Sequence, residues 1–323
     1  MQITTYQPVL HYPQVAALWE RALGETYPVS ERVLFPRIAG RNTLEPGDGL
    51  VAMDGDRMVG FGLLEVDRAS LFPPGRPESV QALLVDPACQ RRGIGSELLN
   101  RLEGRLREQG VTNIIAGGGP WRFWTGVPED LPAANAFFAQ HGYTANYEAI
   151  DLCGPLVEYT MPDEAKACLA AAGAEVACCT PDEVGPACDF LTREQPGWRG
   201  SFLAMVAAGD VANMLLVKRG GAIIGCIQTY PRHSRYRGAN VVWERLYGPD
   251  LGGFGAVLIA KAWRGNGLGV AMIHAAAQYV KDSGASHCYI DWTSRALAPF
   301  YRKVGTEICT VFTMYGKALR LGD

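Results

Sequence analysis

Val85-Asp86-Pro87-Ala88-Cys89-Gln90-Arg91-Arg92-Gly93-Ile94-Gly95-Ser96 and Ile259-Ala260-Lys261-Ala262-Trp263-Arg264-Gly265-Asn266-Gly267-Leu268-Gly269-Val270 are one loop written twice. Each copy follows a short apolar run, Val80 to Val85 or Ala256 to Ile259, of the kind that forms a buried strand. Each precedes apolar residues at helical spacing: Leu98, Leu99, Leu102 and Leu106 in the first, Met272, Ile273, Ala276 and Val280 in the second. The unit is therefore strand, polar glycine-containing turn, helix. Gly93, Gly95, Gly267 and Gly269 carry no Cβ and let a ligand reach the backbone. The amides of the first helical turn point at that ligand with the positive end of the helix dipole behind them. Arg91, Arg92 and Arg264 add charge. Both copies read as anion cradles.

At Gln90 to Gly95 and at Arg264 to Gly269 the chain resembles the GNAT superfamily of acyl-CoA-dependent N-acetyltransferases, whose signature is Gln/Arg-x-x-Gly-x-Gly/Ala after a strand. A second signature of that family, an aromatic pair with a glycine four residues after its second member, is met by Phe137-Phe138 with Gly142 and by Phe300-Tyr301 with Gly305. Leu131 and Ser294 stand where the family often has an Asn. The resemblance implies an α/β (α+β) fold of two tandem domains, each a mixed, mostly antiparallel sheet flanked by helices with a splayed central strand pair. It implies that loop amides hold the pyrophosphate of coenzyme A, at Val85, Gln90, Arg91, Arg92, Gly93, Ile94, Gly95 and Ser96 in the first copy. In the second the matching residues are Ile259, Arg264, Gly265, Asn266, Gly267, Leu268, Gly269 and Val270. It also implies that the splayed strands, Val80 to Val85 with Asn113 to Ala116 and Ala256 to Ile259 with His287 to Trp292, hold the pantetheine and thioester.

With 323 residues the expectation is two domains, each able to build its own core. A net charge of −3 offers no general attraction to nucleic acid or to an anionic membrane. The start, Met1 to Leu10, lacks a basic segment followed by an apolar one, so it does not read as a signal peptide. No apolar run approaches the roughly 20 residues of a membrane span. Nine scattered cysteines without a C-x-x-C pair argue against a metal or disulfide framework and for thiols in a reducing compartment, the cytoplasm.

The two copies are offset by 174 residues at the glycine loop and 163 at the aromatic pair, so the first half carries 11 extra residues between the signatures. Gly117-Gly118-Gly119-Pro120-Trp121-Arg122-Phe123-Trp124 lies in that interval. Each half opens with a helix (Gln14 to Leu23, Asp182 to Leu191) and continues into a hairpin, turning at Asp54-Gly55-Asp56 or at Gly220-Gly221. Thr180, Pro181 and Glu183 form a helix-start signal with a capping box. The expected division is an N-terminal domain over 1–155, a partly helical connector over 156–175 and a C-terminal domain over 176–323. The stretch Pro231 to Gly255, with Arg232, His233, Arg235, Tyr236 and Arg237, reads either as a solvated loop or as a lip on substrate or coenzyme.

Acetyl transfer from a thioester to an amine needs a base for the ammonium and a proton for the departing thiolate. In the family a Tyr at the second aromatic position often gives that proton; Tyr301 can and Phe138 cannot. Asp291, ten residues earlier at the end of the splayed strand, can face the amine, whereas Ala116 to Gly119 hold no titratable side chain. The expected division of labour is a catalytic C-terminal domain and a binding but non-catalytic N-terminal one. Against this stand plainer roles: Tyr301 as a core aromatic, Asp291 as a helix cap, and Trp121, Phe123 and Trp124 as packing rather than a sugar platform. Glu244 is a rival base. The histidines, His11, His141, His233, His274 and His287, have no metal-binding spacing, so no metal is expected. The function that fits is an acetyl-CoA-dependent N-acetyltransferase acting on a small primary amine, an amino sugar by resemblance to glucosamine and glucosaminide acetyltransferases. The alternatives are a non-catalytic acyl-CoA sensor, or an acetyltransferase of another amine or a mycothiol-type precursor. A dinucleotide-binding Rossmann site is disfavoured by Val270 at the third fingerprint position, and a P-loop by the missing Gly-Lys-Ser/Thr. The partners expected are the coenzyme A donor and the amine alone, in a monomer or homodimer without nucleic acid or membrane.

Overall fold

Leu98, Leu99, Leu102 and Leu106 line one face of a helix and are all fully buried, as are Met272, Ile273, Ala276 and Val280 on its counterpart. Those two amphipathic helices organise the fold. The structure, a computed structural model, describes residues 1–41, 43–66, 68 and 77–320. The chain divides into two compact units, one drawn from residues 1–149 together with 311 onward, the other from 150–310.

The first unit begins with β1 (Gln2–Thr5), α1 (Pro8–Leu23) and α2 (Glu31–Ile38). The hairpin β2 (Gly49–Asp54) and β3 (Arg57–Glu65) turns where the sequence places it, and β4 (Glu78–Val85) follows antiparallel to β3. The glycine loop leads into α3 (Ile94–Glu108), then β5 (Asn113–Ala116), the short β6 (Val127–Pro128), α4 (Pro132–Gln140) and β7 (Thr144–Pro155). Strands β4 and β5 run parallel and pair only over Glu78–Val80 before they part. Beyond Val80 the β4 backbone is left without its neighbour. The core joins Leu99, Leu102 and Leu106 of α3 to Leu64, Val80, Ile114, Phe138 and Tyr143.

The second unit repeats the plan with α5 (Asp163–Ala171), β8 (Ala174–Cys178), α6 (Val184–Glu194), α7 (Arg199–Ala207), β9 (Met214–Arg219) and β10 (Ala222–Tyr230). After these come α8 (Glu244–Tyr247), β11 (Leu251–Ile259), α9 (Leu268–Asp282), β12 (His287–Thr293), α10 (Ala298–Tyr301) and β13 (Glu307–Ala318). The capping box forms: the Thr180 amide donates to Glu183 Oε2 at 3.0 Å. Parallel pairing of β11 with β12 is again three residues long, Leu251–Gly253 against His287–Tyr289.

The last strands are exchanged between sequence repeats. Residues 150–155 of β7 complete the second unit by pairing antiparallel with β12. Residues 311–318 of β13 complete the first by pairing with β5 and β6. Compactness therefore cuts the chain at 149 and 310, whereas the repeat in the sequence suggests 155 and 176. The expected connector is ordered: α5 packs beside α9, and β8 pairs with β9.

The stretch 231–255 also differs from a solvated loop. Asn240, Val241, Val242, Trp243 and Glu244 are all buried, and β11 begins at Leu251 rather than Ala256. Leu251-Gly252-Gly253-Phe254-Gly255 lacks the β-branched pattern of a strand, because the neighbours of Gly252 and Gly253 leave no room for a Cβ. A Cβ on Gly253 would stand 2.2 Å from the Tyr289 carbonyl oxygen. All nine cysteines are free thiols. No helix among the described residues is long and apolar enough to cross a membrane.

Candidate active site

In both units the glycine loop is built by the same devices. Gly93 and Gly267 take φ of 81° and 77°, the left-handed region open to glycine, and so turn the chain into α3 and α9 with the first amides of each helix outward. The opening residue of each signature ties the loop back to the strand before it: Gln90 Nε2 donates to the Val85 carbonyl at 3.3 Å, and Arg264 Nε to the Ile259 carbonyl at 2.9 Å. In the first unit Asp86 adds an anchor, accepting from Ala88 N, Arg21 Nε and Arg57 Nη2. Burial alone raises the Asp86 carboxyl, but the bonds from Arg57 and Arg21 outweigh it and hold it below the usual carboxylate range.

Arg91 and Arg92 are exposed at the first loop, beside Gly93, where a Cβ would meet nothing within 4 Å. In the second loop Gly265 is equally open, but at Gly267, the counterpart of Gly93, Cys168 Sγ of α5 would stand 3.0 Å from a Cβ. Ile94 and Leu268 turn into their cores, so they shape the loop rather than face a ligand through their side chains. Ser96 is half-buried and its hydroxyl lies 2.8 Å from His141 Nε2. His141 Nδ1 lies 2.7 Å from the Phe137 carbonyl, which places the ring proton on Nδ1 and makes Nε2 the acceptor for Ser96. Around Asn266 the backbone carbonyl accepts from Cys168 Sγ of α5 at 3.4 Å. Gly269 and Val270 follow in the first turn of α9.

A cavity of about 590 Å³ runs in the first unit from the parted strands to the loop. Ala82, Leu84 and Ala116 line one end, Gly93 and Gly95 the other, and Phe137 and Phe138 form a wall. That volume lies in the range of small-ligand sites. Phe123 and Trp124, considered as a sugar platform, are core residues: Trp124 stacks on Trp19 at 5.2 Å and Phe123 packs on Trp19 at 4.6 Å. Trp124 also borders the cavity, and Trp121 is half-buried with its backbone tied to Glu65 and Gln81.

The second unit assembles the titratable residues. Tyr301 on α10 is 8% exposed and packs on Phe300 and Phe254. Burial first, and the nearby negative charge of Asp291 second, push its hydroxyl up to about 12, against an opposing hydrogen bond with Thr293. Tyr301 therefore keeps its proton at neutral pH. Asp291 Oδ1 looks over Gly255: a Cβ built there would lie 3.8 Å from it and 3.4 Å from Asn240 Nδ2.

Two features of this fork were not read from the sequence. Asn240 pegs it open, its Nδ2 donating to the Phe254 carbonyl on β11 at 2.8 Å and to the Tyr289 carbonyl on β12 at 3.3 Å. Both strands also carry a bulge beside it, marked by left-handed backbone at Ala256 (φ 50°) and Trp292 (φ 49°). No residue type in Ala256 or Trp292 signals this, and an Asn in a long polar stretch reads as a turn. Glu244, the rival base, is buried 3.9 Å from Arg237 Nη1, and Arg232 pairs with Asp250. These basic residues are thus neutralised within their own segment. Among the described residues no group of three His, Cys, Asp or Glu side chains is placed to hold a metal ion.

The profile of the acetyltransferase (GNAT) family matches residues 12–143 and 181–306. No curated protein matches the chain by sequence. Among solved structures, the glucosamine N-acetyltransferase region of a fungal multi-domain GH3 β-N-acetylglucosaminidase superposes with a TM-score of 0.88 at 25% identity. The match covers 98% of this chain and 38% of that one, so this chain spans well under half of that protein. A GCN5-related N-acetyltransferase from Sphaerobacter thermophilus gives 0.72 at 15% identity, covering 100% and 96%. A tandem GNAT protein of the clavulanic acid pathway gives 0.69 at 17%, covering 100% and 99%; at these identities both show the fold alone.

Proposed function

The chain belongs to the acetyltransferase (GNAT) family and is an N-acetyltransferase, and from that premise we propose that it moves an acetyl group from acetyl-CoA to the primary amine of a small molecule, an amino sugar, with the chemistry in the second unit. The observation that carries this reading is the placement of Asp291 and Tyr301 at the same fork, Asp291 Oδ1 over Gly255 of β11 and Tyr301 packed on the neighbouring Phe254.

Asp291 takes a proton from the acceptor ammonium and leaves a nucleophilic amine. The amine nitrogen bonds to the thioester carbonyl carbon, and the carbon–sulfur bond breaks as the tetrahedral adduct collapses. Tyr301 gives its proton to the departing sulfur and regains one from the nitrogen, which sheds its second proton as the amide forms. Acetyl-CoA supplies the activated acyl group and the thiolate. The loop residues Gln90 to Ser96 and Arg264 to Val270 suit its pyrophosphate, because each loop leads through a left-handed glycine, Gly93 or Gly267, into the first amides of a helix. The amino-sugar acceptor is supported by the similarity to the fungal glucosamine N-acetyltransferase region.

The first unit offers a cavity of about 590 Å³ but has Phe138 in place of the tyrosine. That favours a binding, non-catalytic role for it, and a sensor of acyl-CoA is the second reading. Nine free thiols and a net charge of −3 support action in the cytoplasm, as a monomer or homodimer without nucleic acid or membrane partners. A thiol-release assay with acetyl-CoA against amino sugars, polyamines, amino acids and aminoglycosides tests the reading. Turnover is expected with glucosamine or a glucosaminide; coenzyme A binding with no thiol release from any amine would leave the sensor.

A further inference from the structure

β12 presents Asp291 from an irregular part of its ladder, and the residue facing that irregularity is a buried carboxylate. The β7–β12 register pairs Ile290 with Leu152 and Thr293 with Ile150. Asp291 and Trp292 therefore stand together opposite the single residue Asp151, two against one, which is a β-bulge. Trp292 takes the left-handed backbone that a bulky residue avoids unless its surroundings hold it there.

Asp151 is 3% exposed and supplies that hold. Its Oδ1 accepts from the Trp292 amide at 2.7 Å, and its Oδ2 accepts from the Tyr289 hydroxyl at 2.6 Å. The two donors flank Asp291 in the strand, one residue after it and two before. A bulged amide has no ladder partner, and burying it unpaired is costly. The Trp292 amide can only donate and the Tyr289 hydroxyl donates here, so the two oxygens of one carboxylate take both bonds; an Asn keeps one acceptor for the amide but forces the Tyr289 hydroxyl to turn round and accept from its NH₂. The clamp arrives on β7, the strand that ends the first sequence repeat.

We propose that Asp151 is a positioning residue that locks the Asp291–Trp292 bulge and so aims the Asp291 carboxylate at the acceptor amine. This rests on the assignment of Asp291 as base under the proposed function. Such clamping follows the general arrangement in which a reacting group is held by buried bonds behind it.

The test is a double-mutant cycle in the full chain with Asp151→Asn, Asp291→Asn and the pair, assayed with acetyl-CoA and glucosamine. Asp151→Asn is expected to lower kcat about 10- to 100-fold, the scale of a reacting group misplaced by about 1 Å. Acceptor KM and coenzyme A affinity should stay within about threefold. In the Asp291→Asn background the same change should cost nothing further. Equal losses in both backgrounds would overturn the positioning role while leaving Asp291 as base. Near-normal turnover in Asp291→Asn alone would overturn the base assignment, and the positioning role with it. Two readouts need no turnover: the Trp292 amide proton should move upfield and the carboxyl resonance of Asp291 should shift in Asp151→Asn, and unchanged signals would sink the proposal. If Asp151→Asn does not fold, Tyr289→Phe loosens the same clamp while keeping the ring. Its kcat should fall about 3- to 10-fold, and an unchanged kcat would count against the clamp.

Discussion

In the second unit the strand facing β7 is interrupted by two residues, Asp291 and Trp292, opposite Asp151; in the first unit the corresponding interval runs from Gly117 to Gly126, opposite Met314 of β13. Of the 11 extra residues in the first half, this excursion accounts for eight, the rest lying between Val127 and Phe138. The same place in the fold has been used in two ways. Where the interruption is short and a carboxylate faces it, a second carboxylate is presented at the fork beside Tyr301. Where it is long and a buried Met faces it, the excursion folds back as core, with Phe123 and Trp124 stacked on Trp19. The first unit keeps its loop and its cavity, but Phe138 stands where the second has Tyr301 and no carboxylate stands in Gly117 to Gly126, the place of Asp291. Under the proposed function, binding and chemistry separate across the duplicated fold, because they depend on different features: amides at a helix start for one, two side chains at the fork for the other.

The largest expected effect separates the aromatic pair. Tyr301→Phe should lower kcat about 10²- to 10⁴-fold with little change in donor affinity, whereas Phe138→Tyr should leave steady-state rates unchanged. With its hydroxyl raised to about 12, Tyr301 stays protonated until the pH passes well above 10, so any basic limb of kcat below about pH 10 belongs to another group. Near-normal turnover of Tyr301→Phe would end the asymmetry between the units.

Next comes the number of coenzyme A sites, for which calorimetry on the intact chain should give two. Gly95→Trp and Gly269→Trp should each remove one, since the rings of Phe137 and Phe300 stand 3.3 Å and 3.7 Å from where a Cβ would be. One site in the intact chain, lost only with Gly269→Trp, would reduce the first loop to scaffold.

Trp124→Ala asks whether the long excursion is packing. Loss of about 3–5 kcal/mol in denaturant unfolding, with acceptor KM unchanged, is expected for a deleted core aromatic. A raised acceptor KM at unchanged stability would return the segment to the acceptor site.

The smallest effect is one the units share. Burial lowers His11 in the first, and burial with the Lys303 charge lowers His274 in the second. A histidine held below its unfolded value stabilises the fold above about pH 6.5, and that contribution is lost as the pH falls through the folded value. His11→Gln or His274→Gln should each flatten the acid side of the stability profile, by less than about 2 °C in Tm at pH 5.5. An acid limb as steep as that of the parent in both variants would assign it to the carboxylates.

The amino-acid sequence by itself determined the repeating unit of strand, glycine loop and helix, both hairpins, the capping box at Thr180, and Tyr301 in its signature. These are short-range matters: helical periodicity, positive-φ glycines and cap chemistry act within a few residues and leave a readable pattern. Only the tertiary structure decided which strand completes which unit, why Gly252-Gly253 belongs to a strand, and how Asn240, Asp151 and Asp291 come to face one fork. Asp151 lies 140 residues from Asp291 in the chain, and its role depends on a two-against-one register that no local pattern encodes. Pairing between strands is settled by which faces and edges remain to be covered once every element has formed, and by which carbonyls and amides would otherwise be buried without partners.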